Sequence, residues 1–463
     1  MVIFGRLNLG GSKIRIEPLT TSEDQFALFK KLYSYFDHAF ILESLVGPKE
    51  LAEMSVIGFG PEVTVTCDSR SFTVESQGRV KKEKVTEPLS QLRRLVPEVK
   101  DDTFRYIGGA VGYISYDAIR FWESLPARKS GKAKSTFPMM EFGIYTDGVL
   151  YNHKENRAYY FYLGKSRLRE IEQLLSTKTR TRSLPFSYTE PRRNMTKEHF
   201  AGMVRKAKKY VYDGDTFQVV LAKNIKFGIK GDMVRFYEAL RQVNPSPYMY
   251  FMKMGGRCII GSSPEMLVRV TKSHVETFPI AGTRPIVDDE EKNEEMRQDL
   301  LTDEKELAEH TMLVDLARND IGRVCRYGTV KVDELMTVKR FSHVQHIVSH
   351  VTGTLQESYD AYDALKAVFP AGTVSGAPKV RAMEIIDELE PELRGPYAGA
   401  LGYFSFNGSC DFAITIRSLF VDRNKAYIQS GAGIVMDSVP EKEWDETEHK
   451  ANAVLSALRK AAS

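Results

Sequence analysis

Hydrophobic and polar positions recur with two periods along this chain, and the longest helical run lies beyond its midpoint. Across residues 301–325 (LTDEKELAEHTMLVDLARNDIGRVC) apolar residues fall at Leu301, Ala308, Met312, Leu313 and Leu316, which predicts one helix with a single buried face. Thr302 is its expected N-cap, and Asp303 and Glu304 put negative charge in the first turn, where the helix dipole favours it. Thr196 caps a second helix with Phe200, Val204, Ala207 and Val211 on one face, and a third begins near Pro440. Ser22 with Gln25 reads as a capping box ahead of a Phe26, Phe29, Tyr33, Phe36 stripe, and residues 165–175 as a shorter helix.

Period-two alternation predicts strands over 54–67, 71–79, 216–224 and 341–351, and two strands over 139–163 around a polar turn at 152–156. Residues 40–44 (FILES) read as an apolar strand ending in two polar residues. Asn407-Gly408 marks a hairpin turn between two apolar runs. Gly282-Thr283 and Gly431-Ala432-Gly433 read as turns that offer bare backbone N–H groups to an anion, and Arg417 reads as a strand residue able to clamp a carboxylate. The polar stretch 176–193, with two prolines, divides a region 1–190 from a region 191–463 in which turns are shorter and motifs denser.

Composition narrows the function classes. The chain has 463 residues, 42% hydrophobic and 27% charged, as a globular protein with two or three domains' worth of core would. Lys and Arg number 65 and Asp and Glu 61, and a balance of +4 with no basic stripe gives no argument for nucleic acid. The four cysteines lack CxxC spacing, which argues against a disulfide framework or a zinc site and fits a cytoplasmic protein. The N-terminal residues do not read as a signal peptide, and residues 104–122, the most apolar region, are broken by Asp117, Arg120 and three glycines, so no membrane span is expected.

Chemistry concentrates on two helices. Glu306 and Glu309 are three apart, as are Glu443 and Glu446 with Lys450 beyond them, so each pair lies on one helix face. Two readings stand here: solvated acidic faces that never meet, or four carboxylates that converge and require a divalent cation such as Mg²⁺. His346 is open in the same way, to a core role or to acid–base work. GTVSGAPK at 372–379 fails the phosphate-loop pattern, because Ala-Pro follows the second glycine of the run. No Gly-x-Ser-x-Gly elbow is present for a Ser-His-Asp hydrolase.

In order, FQVVLAK, NPSPYM, SSPE, PIAGTRP, ELAEHTMLVDLARND, HVQHIVS, FPAGTVSGAPK, RGPYAG, AITIRS, GAGIV and DETEHKA resemble the chorismate-utilising enzymes, in their anthranilate synthase component I branch. The resemblance is dense over 196–461 and looser before it. It implies an α+β fold: a four-layer helix/sheet/sheet/helix catalytic core with orthogonally packed antiparallel sheets, plus an N-terminal α+β regulatory region. It implies Mg²⁺ on Glu309 and Glu446, with Glu306 and Glu443 in support. Substrate carboxylates would be held by Tyr397, Arg417 and Gly431, Ala432 and Gly433, with Gly282, Thr283 and Lys450 alongside. Glu265 would be the general acid, and His346, near Thr373, would serve a later elimination of pyruvate.

The resemblance further implies a lyase of tryptophan biosynthesis that makes anthranilate and pyruvate from chorismate and ammonia. The ammonia would come from a separate glutamine amidotransferase subunit in a hetero-oligomer. Feedback inhibition by tryptophan would act at Ser44, Pro247, Tyr248 and Met249, with Glu43 pairing with the amino group. The related aminodeoxychorismate synthases carry a nucleophilic lysine where this chain has Ala281, and the isochorismate and salicylate synthases a lysine base where it has Gln218. Two alternatives remain: an aminodeoxychorismate synthase using a non-covalent route, which would release no pyruvate, and a non-catalytic chain that keeps the fold.

Overall fold

A computed structural model describes residues 13–21, 23–46, 53–126, 135–176, 185–341 and 344–463. Among these residues two antiparallel sheets, of 13 and 12 strands, form the framework. The larger runs from Ile14–Leu19 through His38–Glu43, Tyr248–Met254, Arg257–Ser263, Ser418–Asp422 and Lys425–Ile434 to the long strand Gln218–Lys230. The smaller runs from Ile280–Pro285 and Val344–Thr354 through Met266–Thr271, Cys410–Ile414 and Ala400–Ser405 to Gly109–Ile114 and beyond. Strands from before and after residue 190 sit side by side in both: His38–Glu43 pairs with Tyr248–Met254, and Gly109–Ile114 with Ala400–Ser405.

The main apolar cluster lies between the sheets. Phe40, Val56, Tyr250 and Ile259 of the larger sheet meet Val111, Ile114, Val268 and Phe412 of the smaller. On the larger sheet's other face the helices Gln25–Tyr33, Met233–Val243 and Pro440–Ala462 bury a second cluster. The helices Glu304–Gly322 and Ala361–Val368 cover the smaller sheet. The expected helix/sheet/sheet/helix layering of an α+β chain is therefore what the apolar faces build.

Several local expectations hold. The Thr196 hydroxyl accepts from the His199 N–H, the last helix starts at Pro440, and Asn407-Gly408 closes the hairpin with Gly408 at φ 81°. Others need correction. The run 301–325 is two helices: Glu290–Thr302 ends and Glu304–Gly322 begins, with Asp303 between them. Asp303, not Thr302, is the cap, because its carboxylate accepts from both the Lys305 and Glu306 N–H groups and so satisfies two orphan donors. Ser22 lies outside the described residues; Asp24 caps that helix by accepting from Ala27. Residues 139–163 hold three strands, Met140–Tyr145, Asp147–Asn152 and Arg157–Leu163. Gly431-Ala432-Gly433 lies within the strand Lys425–Ile434, and Gly282-Thr283 sits at a bulge in the strand Ile280–Pro285, with Gly282 at φ 60°. Arg417 stands between strands, at φ 51°. Of the polar stretch 176–193, residues 177–184 lie outside the described residues.

The four cysteines are buried and unbridged, and no described helix is long and apolar enough to cross a membrane.

The Asp303 cap is testable. Asp303→Ala should cost about 1 kcal/mol in urea unfolding, and Asp303→Asn much less; equal loss in both would show that the ion pair to Arg284, not the cap, matters.

Candidate active site

The helices Glu304–Gly322 and Pro440–Ala462 come from opposite outer layers, yet both reach one cavity of about 590 Å³. Glu306, Glu309, Glu443 and Glu446 all line it. So do Glu265, His346, Thr373, Gly282, Thr283, Tyr397, Arg417, Gly431, Gly433 and Lys450. Ala432 does not: it is buried on the other face of its strand, among Phe200, Leu221 and Trp444. Alternation along an extended strand sends Gly431 and Gly433 one way and Ala432 the other.

The glycines clear space. A Cβ on Gly431 would stand 3.0 Å from the Tyr397 hydroxyl, and one on Gly433 2.5 Å from Nε2 of Gln218. That amide nitrogen donates to Glu309 Oε1 at 2.7 Å, which fixes the carboxylate at the cavity wall.

Glu265 follows the strand Arg257–Ser263 and is buried, 7% exposed. The Thr373 hydroxyl donates to its Oε1 at 2.8 Å. Loss of water outweighs that bond and the charge of Lys450, so burial pushes the Glu265 carboxyl up to about 8. It is protonated at neutral pH and can give a proton away.

His346 lies on the strand Val344–Thr354. Its Nδ1 is 2.7 Å from the Gly282 carbonyl and 3.1 Å from the Thr283 hydroxyl. A carbonyl can only accept, so Nδ1 carries the hydrogen and Nε2 is left as the acceptor. Burial, followed by the charges of Arg417 and Lys450, lowers its pKa to about 4 despite the Gly282 bond, and the ring is neutral at pH 7. The histidine of the acidic helix, His310, has no part in the cavity: it is fully buried, 2.6 Å from the Ser349 hydroxyl.

Arg417 carries the strongest statement about ligand chemistry. Its guanidinium lines the cavity and has no hydrogen bond or ion pair among the described residues. Its left-handed backbone is strained for an arginine, a cost met where a side chain must be aimed. Burial lowers its pKa, with Tyr397 and Glu446 opposing, and it remains charged. A desolvated cation without a partner binds an anion.

The carboxylates are also incomplete. Burial raises the pKa of Glu309, with the Glu306 charge adding to the rise. Burial likewise raises that of Glu443, with repulsion from Glu446, and Glu443 Oε2 is buried without a hydrogen-bond partner. Glu446 pairs with Lys450 at 2.6 Å. Among the described residues no three His, Cys, Asp or Glu side chains converge closely enough to hold an ion. The donor chemistry nevertheless fits a hard divalent cation: carboxylate oxygens, mutually repelling and one of them orphaned.

Lys305, Gln429 and His449 also line the cavity and were not singled out in the sequence. The signal was there: Lys305 is four residues before Glu309, His449 three after Glu446, and Gln429 two before Gly431 on the same strand face.

A second, smaller cleft gathers Ser44, Pro247, Tyr248 and Met249 with Arg105, Arg269 and Asp411. The Ser44 hydroxyl is buried and unpartnered, and the Tyr248 hydroxyl donates to Asp411 at 3.0 Å. Glu43 lines this cleft, but its carboxylate accepts from Arg241, Tyr237 and Gln25 and is not open to a ligand's amino group.

Residues 37–456 match the family described as chorismate binding enzyme. The chain belongs to the chorismate-binding enzymes. It is similar to anthranilate synthase component 1 of Methanothermobacter thermautotrophicus, 49% identical over 440 residues that span 95% of this chain and 93% of the relative. It is also similar to the same component from Acetivibrio thermocellus, at 42% identity over 97% and 95% of the two chains. The crystal structure of anthranilate synthase component I from Streptococcus pneumoniae superposes with a TM-score of 0.77 at 35% identity, covering 89% of this chain and 94% of that one. The menaquinone-specific isochorismate synthase MenF from Escherichia coli, at 20% identity and a TM-score of 0.74, shares the fold. The cavity therefore lies in an enzyme of the chorismate-binding family.

Glu265 gives a pH prediction independent of turnover. Its folded pKa, about 8, lies above the ordinary 4.5, so the folded state keeps a proton the unfolded state has lost. Relative to Glu265→Gln, the protein should lose stability as pH rises from about 4.5 to about 8 and level off above, by a few kcal/mol in all. Urea unfolding at pH 5, 7 and 9 reads this directly; parallel curves for the two proteins would refute the raised pKa.

Proposed function

We propose that this chain is the large subunit of an anthranilate synthase, turning chorismate and ammonia into anthranilate and pyruvate in tryptophan biosynthesis. The observation that carries the reading is a buried Glu265, its carboxyl pushed up to about 8, in one cavity with four other carboxylates and an Arg417 unpaired among the described residues. Chorismate is a dianion whose hydroxyl is a poor leaving group. It asks for a cation on each carboxylate and an acid at the departing oxygen.

Arg417, Tyr397 and the backbone around Gly431 and Gly433 would take one carboxylate, with Gly282, Thr283 and Lys450 alongside. Glu309 and Glu446, with Glu306 and Glu443 behind them, would hold Mg²⁺ against the ring carboxylate. Bound there, the ion would supply positive charge that draws electron density toward that carboxylate. Glu265 would protonate the C4 hydroxyl as ammonia adds at C2, so water leaves. His346, neutral with Nε2 free to accept, would serve the later loss of pyruvate that makes the ring aromatic, near Thr373.

The resemblance to the related synthases points to ammonia as the nucleophile, through two positions where they carry a lysine and this chain does not. Ala281 cannot form a covalent adduct, and the Gln218 amide cannot act as a base toward water. A glutamine amidotransferase subunit would supply the ammonia in a cytoplasmic hetero-oligomer. Tryptophan would inhibit from the cleft of Ser44, Pro247, Tyr248 and Met249.

The purified chain with chorismate, Mg²⁺ and ammonium salt should give anthranilate fluorescence and equal pyruvate in a lactate dehydrogenase assay. Amination without pyruvate would favour the aminodeoxychorismate route, and no product from ammonia would refute the reading. Glu309→Gln should abolish turnover with the melting temperature kept, and an active variant would sink the metal assignment. Ser44→Phe should leave activity intact at tryptophan concentrations that silence the wild type; wild-type activity indifferent to millimolar tryptophan would end the regulatory reading.

A further inference from the structure

The strand Gln218–Lys230 forms the cavity wall that carries Gln218 and Val220. One edge pairs with Lys425–Ile434 from Val219 to Gly228. The other edge pairs with Gly376 and Ala377 at its start and with Arg192 and Arg193 further on. Between them, the Val220 carbonyl and the Ala222 N–H point to an edge with no strand against it among the described residues. Two side chains take the strand's place. Arg394 donates to the Val220 carbonyl at 2.8 Å, and Glu390 accepts from the Ala222 N–H at 2.8 Å.

These two residues are locked together. Arg394 Nε and Nη2 donate to the two Glu390 oxygens at 3.0 and 2.6 Å, and both side chains are at most 4% exposed. The guanidinium is also 4.5 Å from the Tyr116 ring and 5.8 Å from that of Tyr397. Its last donor, Nη1, reaches the Val374 carbonyl at 2.6 Å. Val374 follows Thr373, whose hydroxyl holds Glu265. One buried side chain therefore spans the cavity wall and the short helix Gly372–Ser375 beside Glu265. A fully desolvated ion pair is weak as a source of stability, so its placement calls for another account.

We propose that Arg394, locked to Glu390, is a positioning residue for the reaction: it fixes the Val374 carbonyl to the edge of the strand Gln218–Lys230 and so holds the Thr373 hydroxyl on Glu265. The role as acid rests on the anthranilate synthase reading; the coupling of Arg394 to the Glu265 carboxyl does not. Lysine keeps the charge beside Glu390 but lacks the fork that reaches Val374, Val220 and Glu390 together. Released, Thr373 stops donating to the ionised form of Glu265, and the proton is held more tightly.

The test follows the Glu265 carboxyl by ¹³C NMR titration, assigned with Glu265→Gln, in the full chain. Arg394→Lys should move the midpoint up by about half a pH unit or more, and Thr373→Val should do the same. The double variant should move it no further than either alone. With chorismate, ammonia and Mg²⁺, Arg394→Lys should lower kcat about tenfold or more and move the alkaline limb of its pH profile upward. If Arg394→Lys fails to fold, Arg394→Met with Glu390→Met removes both charges together and is read the same way. An unmoved midpoint, or shifts that add in the double variant, overturns the proposal whatever happens to the melting temperature. A wild type that titrates as expected but forms no anthranilate refutes the catalytic reading and leaves the coupling standing.

Discussion

Opposite charges share one cavity here, only Glu446 and Lys450 among them pair within the described residues, and the architecture keeps the rest apart. Among the described residues Arg417 has no hydrogen bond or ion pair and feels Glu446 only through its charge, while the Glu443 carboxylate has an oxygen with no donor. In water or on a flexible surface such groups would pair or be hydrated at little cost. In a partly dry cavity each unmet charge is expensive, and a ligand bearing the complementary charges would relieve that cost. Holding them apart requires rigid supports on separate elements. The acidic residues ride on two helices from opposite outer layers, and Arg417 on a strained link between strands of different sheets. The two-sheet core between those layers sets their separation.

The same framework ties the second cleft to the acid. Tyr248 and Met249, which line that cleft, pair in register with Ser263 and Ser262, and Glu265 lies two residues beyond Ser263. Tyr248 also reaches Asp411, which with Arg269 belongs to the smaller sheet. A group lodged in the cleft would press on the ladder that delivers Glu265 and on the other sheet at once. The interleaving of early and late strands in both sheets makes this possible. Two domains joined only by a linker would leave the cleft and the acid on separate bodies.

Periodicity made much of this scaffold legible. Thr196 and Pro440 start helices where the sequence places them, and Asn407-Gly408 turns the expected hairpin, because these signals are local. The acidic helix was misread at its start because helical spacing continues across Asp303; only the side chain's two backbone bonds reveal a cap there. Gly431 and Gly433 looked like a turn because glycine is rare in strands. Their reason is tertiary, in the room taken by Tyr397 and Gln218. Arg417 could not be placed either, since its value lies in a backbone conformation and a missing partner. Resemblance supplied the list of cavity residues, and spacing alone could have added Lys305, His449 and Gln429. It could not say that Glu43 is already spent on Arg241.

The segment around the short helix Gly372–Ser375, which carries Thr373, shows how a costly interaction can be the right one. It is tied at one end by Lys379, partly buried and bonded to Asp320 at 2.7 Å and to the Val368 carbonyl at 2.8 Å. Further along it is tied by Arg394 through the Val374 carbonyl. Apolar side chains could fill the same volumes with less desolvation, but packing contacts are non-directional and would leave the hydroxyl free to wander. Charged hydrogen bonds fix both distance and angle. Glu265 responds to small displacements, since burial and a single Thr373 bond set its proton affinity in opposite directions. A group balanced in that way needs its neighbours held to a fraction of an ångström, and directional bonds from buried ions supply that where dispersion does not.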